Sequence, residues 1–331
     1  MSKNKISQKA YSSLVVSAVL WGLTPFVYKK SLALLSILLF LALRFTIGAV
    51  TIFVSDRKRF VKLSSKTILS LLGLCMLEVV FSNYAYSYGI QRTSIIHASL
   101  IQLSIPFLVY IFAAIILKEK VHRIVWVGGA IAALGLAVTI IPKSSGDIAS
   151  AMSLSGDIAL LAQVIATSFG IVIARKILSR KKHQVPPEQF GFIEYGFASI
   201  FFVSLLIING GLGELSVMAS QAWIWVIIAG TVAGAIPMRL YYRSVKRLPA
   251  ERIADANFIS PAVAMLTGII LLNENLNIWS VMGLALVIIG LLVSHQKIHP
   301  VYIAHQLNLH AGQLSRVYRI PKRAYAYIRY Q

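Results

Sequence analysis

Ten times along this chain an apolar run of about 20 residues ends in a short polar break, and that recurrence leaves few possible folds. A helix of about 20 residues crosses a hydrocarbon core of roughly 30 Å. Within lipid, a helix satisfies every backbone N–H and C=O inside its own segment. The runs cover approximately residues 12–30, 36–54, 67–88, 95–117, 122–141, 155–174, 190–209, 221–242, 254–272 and 277–294. The breaks carry turn and loop chemistry: a charge run from Asp56 to Lys62, a turn from Pro142 to Gly146, a basic loop from Ser179 to Pro187, and a glycine-rich stretch from Asn209 to Gly213. The expected fold is therefore an all-α polytopic membrane protein with ten transmembrane helices.

Charge orients the spans. A net charge of +21 would point to nucleic acid in a soluble protein. Here the basic residues sit between apolar spans, so orientation in a membrane is the simpler cause and no nucleic-acid partner is expected. With the amino terminus inside, 27 of the 32 Lys and Arg residues fall in inside segments; Lys29, Lys30, Arg92 and Lys143 fall outside, and Arg44 lies within a span. Both termini are expected in the cytoplasm, in a plasma (inner) membrane. Residues 1–11 are polar and lead into a full-length span without a small-residue cleavage site, which predicts a retained first helix. Cys75 is the one cysteine, so a disulfide within one chain is ruled out.

The segment from Ser94 to Val138 returns 155 residues later, from Pro249 to Val293. Pro106 falls on Pro261, Glu119 on Glu274, Gly128 on Gly283 and Gly135 on Gly290, while Gln102 falls on Asn257. Five spans per half is an odd number, so the two copies enter the membrane in opposite directions. The charges agree: Glu119 lies in a basic loop, Glu274 in a loop free of Lys and Arg, and the sparse loop at Arg92 has as its copy the basic stretch from Arg243 to Arg252. Two inverted five-helix repeats are the expected architecture, over residues 12–141 and 155–294. Residues 142–154 form an extracytoplasmic linker and 295–331 a basic cytoplasmic tail. Inverted repeats of this kind typify secondary transporters, with the substrate site near the midplane.

The chain resembles the drug/metabolite transporter superfamily in its ten-helix EamA-type branch. The resemblance is carried by Trp21-Gly22 through Pro25, Arg44-Phe45, Tyr84 to Tyr88, Pro106 to Glu119 and Gly128 to Gly135, with the doubled segments Tyr241 to Pro249, Pro261 to Glu274 and Gly283 to Gly290. It implies a ten-helix transporter with a central cavity that moves amino acids, other small metabolites or drugs, often outward. Glu78, Glu194 and the basic aromatic tail depart from the family pattern.

Candidate site residues follow from polar chemistry inside apolar spans. Pro106 and Pro261 cannot donate to the carbonyls of Gln102 and Asn257, and each of those residues carries an amide able to meet the freed group or a solute. The alternative is that both amides join helices. Pro25 interrupts the first span. Arg44, Glu78 and Glu194 are ionisable residues that must face protein or a watery cavity. Arg44 reads as a structural tether and, with a small offset, corresponds to Glu194. Glu78 has no Lys or Arg within a helical turn; a carboxyl there takes up a proton when solute leaves, pairs with a substrate amine, or hydrogen-bonds a neighbouring helix. Trp21, Tyr84, Tyr88 and Tyr241 can line a cavity or anchor span ends. His97 reads as packing, and Glu119 and Glu274 as favouring the amino-terminal ends of the fifth and tenth helices.

Gly230 with Gly234, and Gly128 with Ala132, suit close helix approach. The chain contains no GxxxxGK[ST] and no HExxH, so no ATP-driven step, no catalytic centre, no metal and no cofactor is expected. The tail alternates Arg and Lys with Tyr, which suits anionic lipid or a disordered end. The expected function is a non-enzymatic secondary transporter, an exporter of an amino-acid-like or amphiphilic metabolite, with alternating access of a cavity between the repeats, driven by proton exchange or by facilitated diffusion. The alternatives are an exchanger of phosphorylated or nucleotide-linked metabolites and a non-transporting scaffold. The partners are a small solute and the bilayer; one chain already forms a pseudo-dimer, and a homodimer is the further possible assembly.

Overall fold

The computed structural model describes residues 3–118, 123–140, 148–178, 185–245, 259–275 and 278–295, and every regular element among them is helical. Helix α1 (Lys3–Gly22) is followed by α2 (Thr24–Leu32), α3 (Ile37–Asp56), α4 (Ser65–Cys75), α5 (Ser82–Arg92), α6 (Ile95–Gln102), α7 (Ile105–Ile116), α8 (Arg123–Ile140) and α9 (Ile148–Leu178). The second half continues with α10 (Pro187–Ile208), the single turn α11 (Gly213–Ser216), α12 (Ser220–Gly230), α13 (Ile236–Val245), α14 (Ile259–Leu272) and α15 (Ile278–His295). Among the described residues seven stretches are long and apolar enough to cross a membrane, and three shorter apolar helices lie where the other three spans are expected. Helix α9 already begins at Ile148, within the stretch expected as linker; its Ile-Ala-Ser-Ala opening has no proline to forbid helix. Local chemistry sets several starts. Ser36, Ser64 and Ser94 each accept a backbone N–H three residues on, at 3.3, 3.3 and 3.0 Å, as helix amino-terminal caps do.

The inverted repeat is visible in how the helices pair. The most extensive contact joins α8 to α15, and the next joins α3 to α10. Each is a span packed on its own repeat equivalent. In the first, Gly128 abuts Gly290 and Gly135 abuts Gly283, so the order reverses from one helix to the other. A Cβ on Gly135 would lie 2.7 Å from the Gly283 carbonyl, and one on Gly283 would lie 2.6 Å from the Gly135 carbonyl. Only glycine permits that approach, and close backbone contact is what drives helix association where lipid removes the hydrophobic gradient. In the second pair Phe45 stacks on Phe202 with centroids 5.8 Å apart, Thr46 meets Ser199 at 2.7 Å, and Phe53 packs on Phe192 at 5.5 Å. The order reverses again. Equivalent helices that cross antiparallel are related by a two-fold axis lying across them, which is the geometry of an inverted repeat. The remaining contacts obey the same operation: α5 packs on α9 as α13 packs on α1, and α7 packs on α9 as α14 packs on α1.

Two spans are discontinuous among the described residues. The first breaks at Leu23, with Pro25 in the opening turn of α2. The fourth breaks at Leu103 and Ser104, with Pro106 in the opening turn of α7. There the chain tightens: Leu103 N donates to both Ser99 O and Leu100 O, and Ser104 N donates to Ile101 O at 3.0 Å. Both prolines interrupt their spans as the sequence predicts. Pro261 lies in the first turn of α14, while Asn257 and the carbonyl expected to be freed there lie outside the described residues. The third and eighth spans carry a different irregularity. Met76–Phe81 joins α4 to α5 and Thr231–Ala235 joins α12 to α13, each as a π-helical segment. Met76 and Thr231 are 155 positions apart, so both segments start at the same position of the repeat. Nothing in the periodicity of the sequence indicated them.

Candidate transport site

A π segment widens the helix by one residue and leaves backbone carbonyls poorly matched, and such segments recur at functional sites. Both segments here meet a hydroxyl. Ser82 Oγ donates to Leu77 O at 3.1 Å in the first, and Thr24 Oγ1, from the broken first span, donates to Ala233 O at 3.5 Å in the second. From Ser82 a chain of side chains runs on: Thr167 Oγ1 donates to Ser82 Oγ at 3.2 Å, Gln163 Nε2 to Thr167 Oγ1 at 2.9 Å, and Gln102 Nε2 to Gln163 Oε1 at 2.9 Å. Gln102, singled out for its position before Pro106, therefore turns its amide to α9 and ties the break of the fourth span to the π segment of the third.

Arg44 is 6% exposed and pairs with no carboxylate among the described residues. Its Nη1 donates to Asn83 Oδ1 at 3.1 Å, and its guanidinium lies 5.1, 4.6 and 5.7 Å from the rings of Tyr28, Phe45 and Tyr195. Tyr28 also donates to Asn83 Oδ1 at 3.1 Å and packs edge-on against Tyr86 at 5.1 Å. Aromatic faces offer a desolvated cation real attraction, so this group ties the second span to the first, third and seventh. Asn83 and Tyr86 share one face of α5. Tyr84 points elsewhere: it is 43% exposed and lines a peripheral crevice of about 350 Å³ with Ser36, Gln91, Asn209 and Glu214. Tyr88 lies under the Arg92 guanidinium, 3.6 Å from ring to Cζ. Trp21 and Tyr241 pack together across the first and eighth spans at 5.1 Å.

Glu78 and Glu194 lie on elements packed together, within electrostatic reach of each other, and neither is ion-paired with Arg44. Glu78 sits within the first π segment, where a Cβ on Gly170 of α9 would be 2.8 Å from its own Cβ. Glu194 on α10 is 6% exposed and within electrostatic reach of Glu78, and Cys75 is within reach of both. The next residue along, Tyr195, rests on the other π segment: a Cβ on Gly234 would lie 3.0 Å from its hydroxyl. Of two consecutive residues of α10, Tyr195 thus touches the second π segment and Glu194 lies within electrostatic reach of the first.

At the end of the bundle formed by the α5–α6 turn, Glu274 accepts from the backbone N–H groups of Ile95 and Ile96 at 2.8 and 3.0 Å and lies 3.4 Å from Lys29 Nζ. It therefore serves the amino terminus of α6, in the other half of the chain; the residues that lead into the tenth helix lie outside the described residues. The residues before the two repeated glutamates, Lys118 and Asn273, share a left-handed backbone, with φ of 56° and 53°. His97 Nδ1 lies 3.2 Å from Asp157 Oδ2, and Thr93 donates to Asp157 Oδ1 at 2.5 Å. At the opposite end Arg239 and Arg243 reach Asp56 at 2.8 and 3.3 Å. No group of three His, Cys, Asp or Glu side chains among the described residues is placed to hold a metal.

A family pattern matches this chain twice, over residues 8–141 and 154–295. The chain belongs to the EamA-like transporter family. Curated relatives of this EamA-like chain include the "Uncharacterized transporter YetK" of Bacillus subtilis, 24% identical over 86% of each chain. "Uncharacterized transporter YcxC" of the same organism is 25% identical over 86% of this chain and 92% of its own. An "Uncharacterized transporter" of Archaeoglobus fulgidus is 26% identical over 87% and 99%. A solved structure titled "Crystal structure of protein" superposes with a TM-score of 0.60 at 19% identity, covering 87% of this chain and 96% of that one, and so shares the fold. The EamA-like chain is a membrane transporter, with a small-molecule solute and the bilayer as its partners. The resemblance stated from the sequence is the family found.

Site residues that the sequence reading passed over are Asn83, Tyr28, Tyr195, Gln163 and Asp157. Gln163 and Asp157 are polar residues within an apolar span, the same signal that singled out Glu78, and a census of such residues would have found them.

Proposed function

We propose that the protein is a secondary transporter that exports a small amino-acid-like or amphiphilic metabolite by alternating access between its two five-helix halves. The observation that supports this reading is the closed two-fold pairing of α8 with α15 and α3 with α10, combined with broken helices in the first and fourth spans. Two rigid halves joined across glycine contacts can rock about the shared axis, and the breaks supply backbone able to bend. Gln102, Trp21 and Tyr241 are the solute contacts on this reading, with Asn257 as the repeat equivalent of Gln102; Tyr84 lies in an exposed crevice and Tyr88 under Arg92. On this reading the membrane is the plasma membrane, with both termini on its cytoplasmic side.

An exchanger of phosphorylated metabolites is second, because it needs several converging cations. Among the described residues Arg44 is the buried one, and Asn83 and three rings already hold it. The decisive measurement is solute flux into proteoliposomes across amino acids, amines and phosphorylated metabolites. Amino-acid or amine counterflow supports the exporter. Flux restricted to phosphorylated compounds moves the assignment to the exchanger, and no flux from folded protein rejects transport of these classes.

A further inference from the structure

Glu78 and Glu194 are two carboxyls in the interior of the bundle with no cation paired to either among the described residues. Glu78 Oε2 is enclosed and meets no hydrogen-bond donor. No ion pair links either residue to a basic side chain among the described residues. The elements packed on the first π segment are α4, α5, α9 and α10. Helix α4 brings Cys75, α5 brings Ser82, α9 brings Gly170 and Thr167, and α10 brings Glu194 with Tyr195 beside it. Arg44, the nearby cation, is committed to Asn83 and its rings. Like charges this close in a low-dielectric interior cannot both persist, and paired carboxyls in that situation titrate as one unit. At least one of the two must be neutral. A hard metal ion would call for six or more oxygen ligands, whereas a thiol and a glycine face complete this lining.

We propose that Glu78 and Glu194 form a single proton-binding site, charged and discharged once per transport cycle. The proposal rests on the transporter reading and adds the coupling ion to it. Its mechanical link is also present: four hydrogen bonds carry the state of the first π segment through Ser82, Thr167 and Gln163 to Gln102 at the break of the fourth span. A proton gained or lost at Glu78 changes what the widened backbone of that segment must satisfy. The segment is hydrogen-bonded to the helix that bends.

Infrared spectroscopy of the full chain in lipid nanodiscs tests the site without knowledge of the solute. The wild type is expected to show a protonated-carboxyl C=O stretch at neutral pH that shifts on ¹³C labelling of glutamate and vanishes in Glu78→Gln/Glu194→Gln. A band absent from the wild type, unmoved by glutamate labelling, or unchanged in the double variant overturns the proposal; the labelling arm needs no variant to fold. Replacing choline chloride by sodium chloride should leave the band in place, and its loss would assign the pair to a metal cation instead. Flux of an amino-acid mixture into proteoliposomes separates the two readings. Flux that keeps its pH dependence in the double variant defeats proton coupling and leaves the transporter standing. A band that behaves as expected with no flux of any solute does the reverse.

Discussion

The two π segments occupy the same position of the inverted repeat and do different work. Met76–Phe81 holds Glu78, unpaired and pressed on Gly170; Thr231–Ala235 holds Ala233 at the equivalent place and packs Gly234 under the Tyr195 hydroxyl. Both spare carbonyls are met by a hydroxyl. The shared part is therefore a backbone device that widens a helix beside its neighbour, and the acid is an addition to one copy. Duplication supplied the geometry, and divergence at one residue placed chemistry in it.

The strongest way to break that comparison is to exchange the acid. In Glu78→Ala/Ala233→Glu the new carboxyl enters a site where Ala233 is buried among apolar neighbours and Glu194 is turned to the other segment. We expect a loss of about 2.5–3.5 kcal/mol, the scale for a charge at the membrane centre, and no recovery of pH-dependent flux. Denaturant unfolding in mixed micelles and proteoliposome flux measure the two; recovered coupling would mean that the position alone suffices.

Next in size are the glycines on which the segments rest. Gly170→Leu and Gly234→Leu should each cost about 1–3 kcal/mol by overpacking. Gly73→Leu, whose added Cβ would meet nothing within 4 Å, should stay within about 0.5 kcal/mol. Equal costs at all three positions by the same unfolding measurement would remove the close packing from the argument.

Smaller again are the hydroxyls. Ser82→Ala and Thr24→Val each leave a π carbonyl unmet and should cost about 0.6 kcal/mol, the average for a side-chain hydrogen bond in a membrane protein. Ser82→Ala should in addition change flux more than Thr24→Val does, because only Ser82 continues into the Gln163–Gln102 chain. Equal flux in the two variants would confine both hydroxyls to backbone support.

The smallest effect is expected at Lys29→Met, which leaves both Glu274 oxygens to the α6 amino terminus and gives up only the ion pair. A part-exposed pair of this kind is worth roughly 0–1 kcal/mol. Thermal unfolding of the variant with and without high salt checks it, since the wild type alone should weaken with salt.

Apolar run length in the sequence determined the ten spans, and the recurrence of Pro, Glu and Gly at one spacing determined the repeat, because bilayer thickness and helix geometry permit few readings of such a pattern. Pro25 and Pro106 mark real breaks for the same reason: a missing N–H acts locally. The charge bias bears on which face of the membrane each loop takes and says nothing of contacts.

Tertiary structure decided everything that depends on which face of a helix meets which neighbour. Tyr84 and Tyr88 are adjacent in pattern to Asn83 and Tyr86, yet a turn of about 100° per residue sends Tyr84 to an exposed crevice, Tyr88 under Arg92, and Asn83 and Tyr86 toward Arg44 and Tyr28. Glu194 aligns with Arg44 by the repeat but lies beside Glu78, since α3 and α10 cross antiparallel and a small offset in sequence becomes a different partner in space. The π segments stayed hidden because one added residue in a helical turn leaves composition and hydropathy unchanged. Their position becomes visible only once the helices on either side are packed.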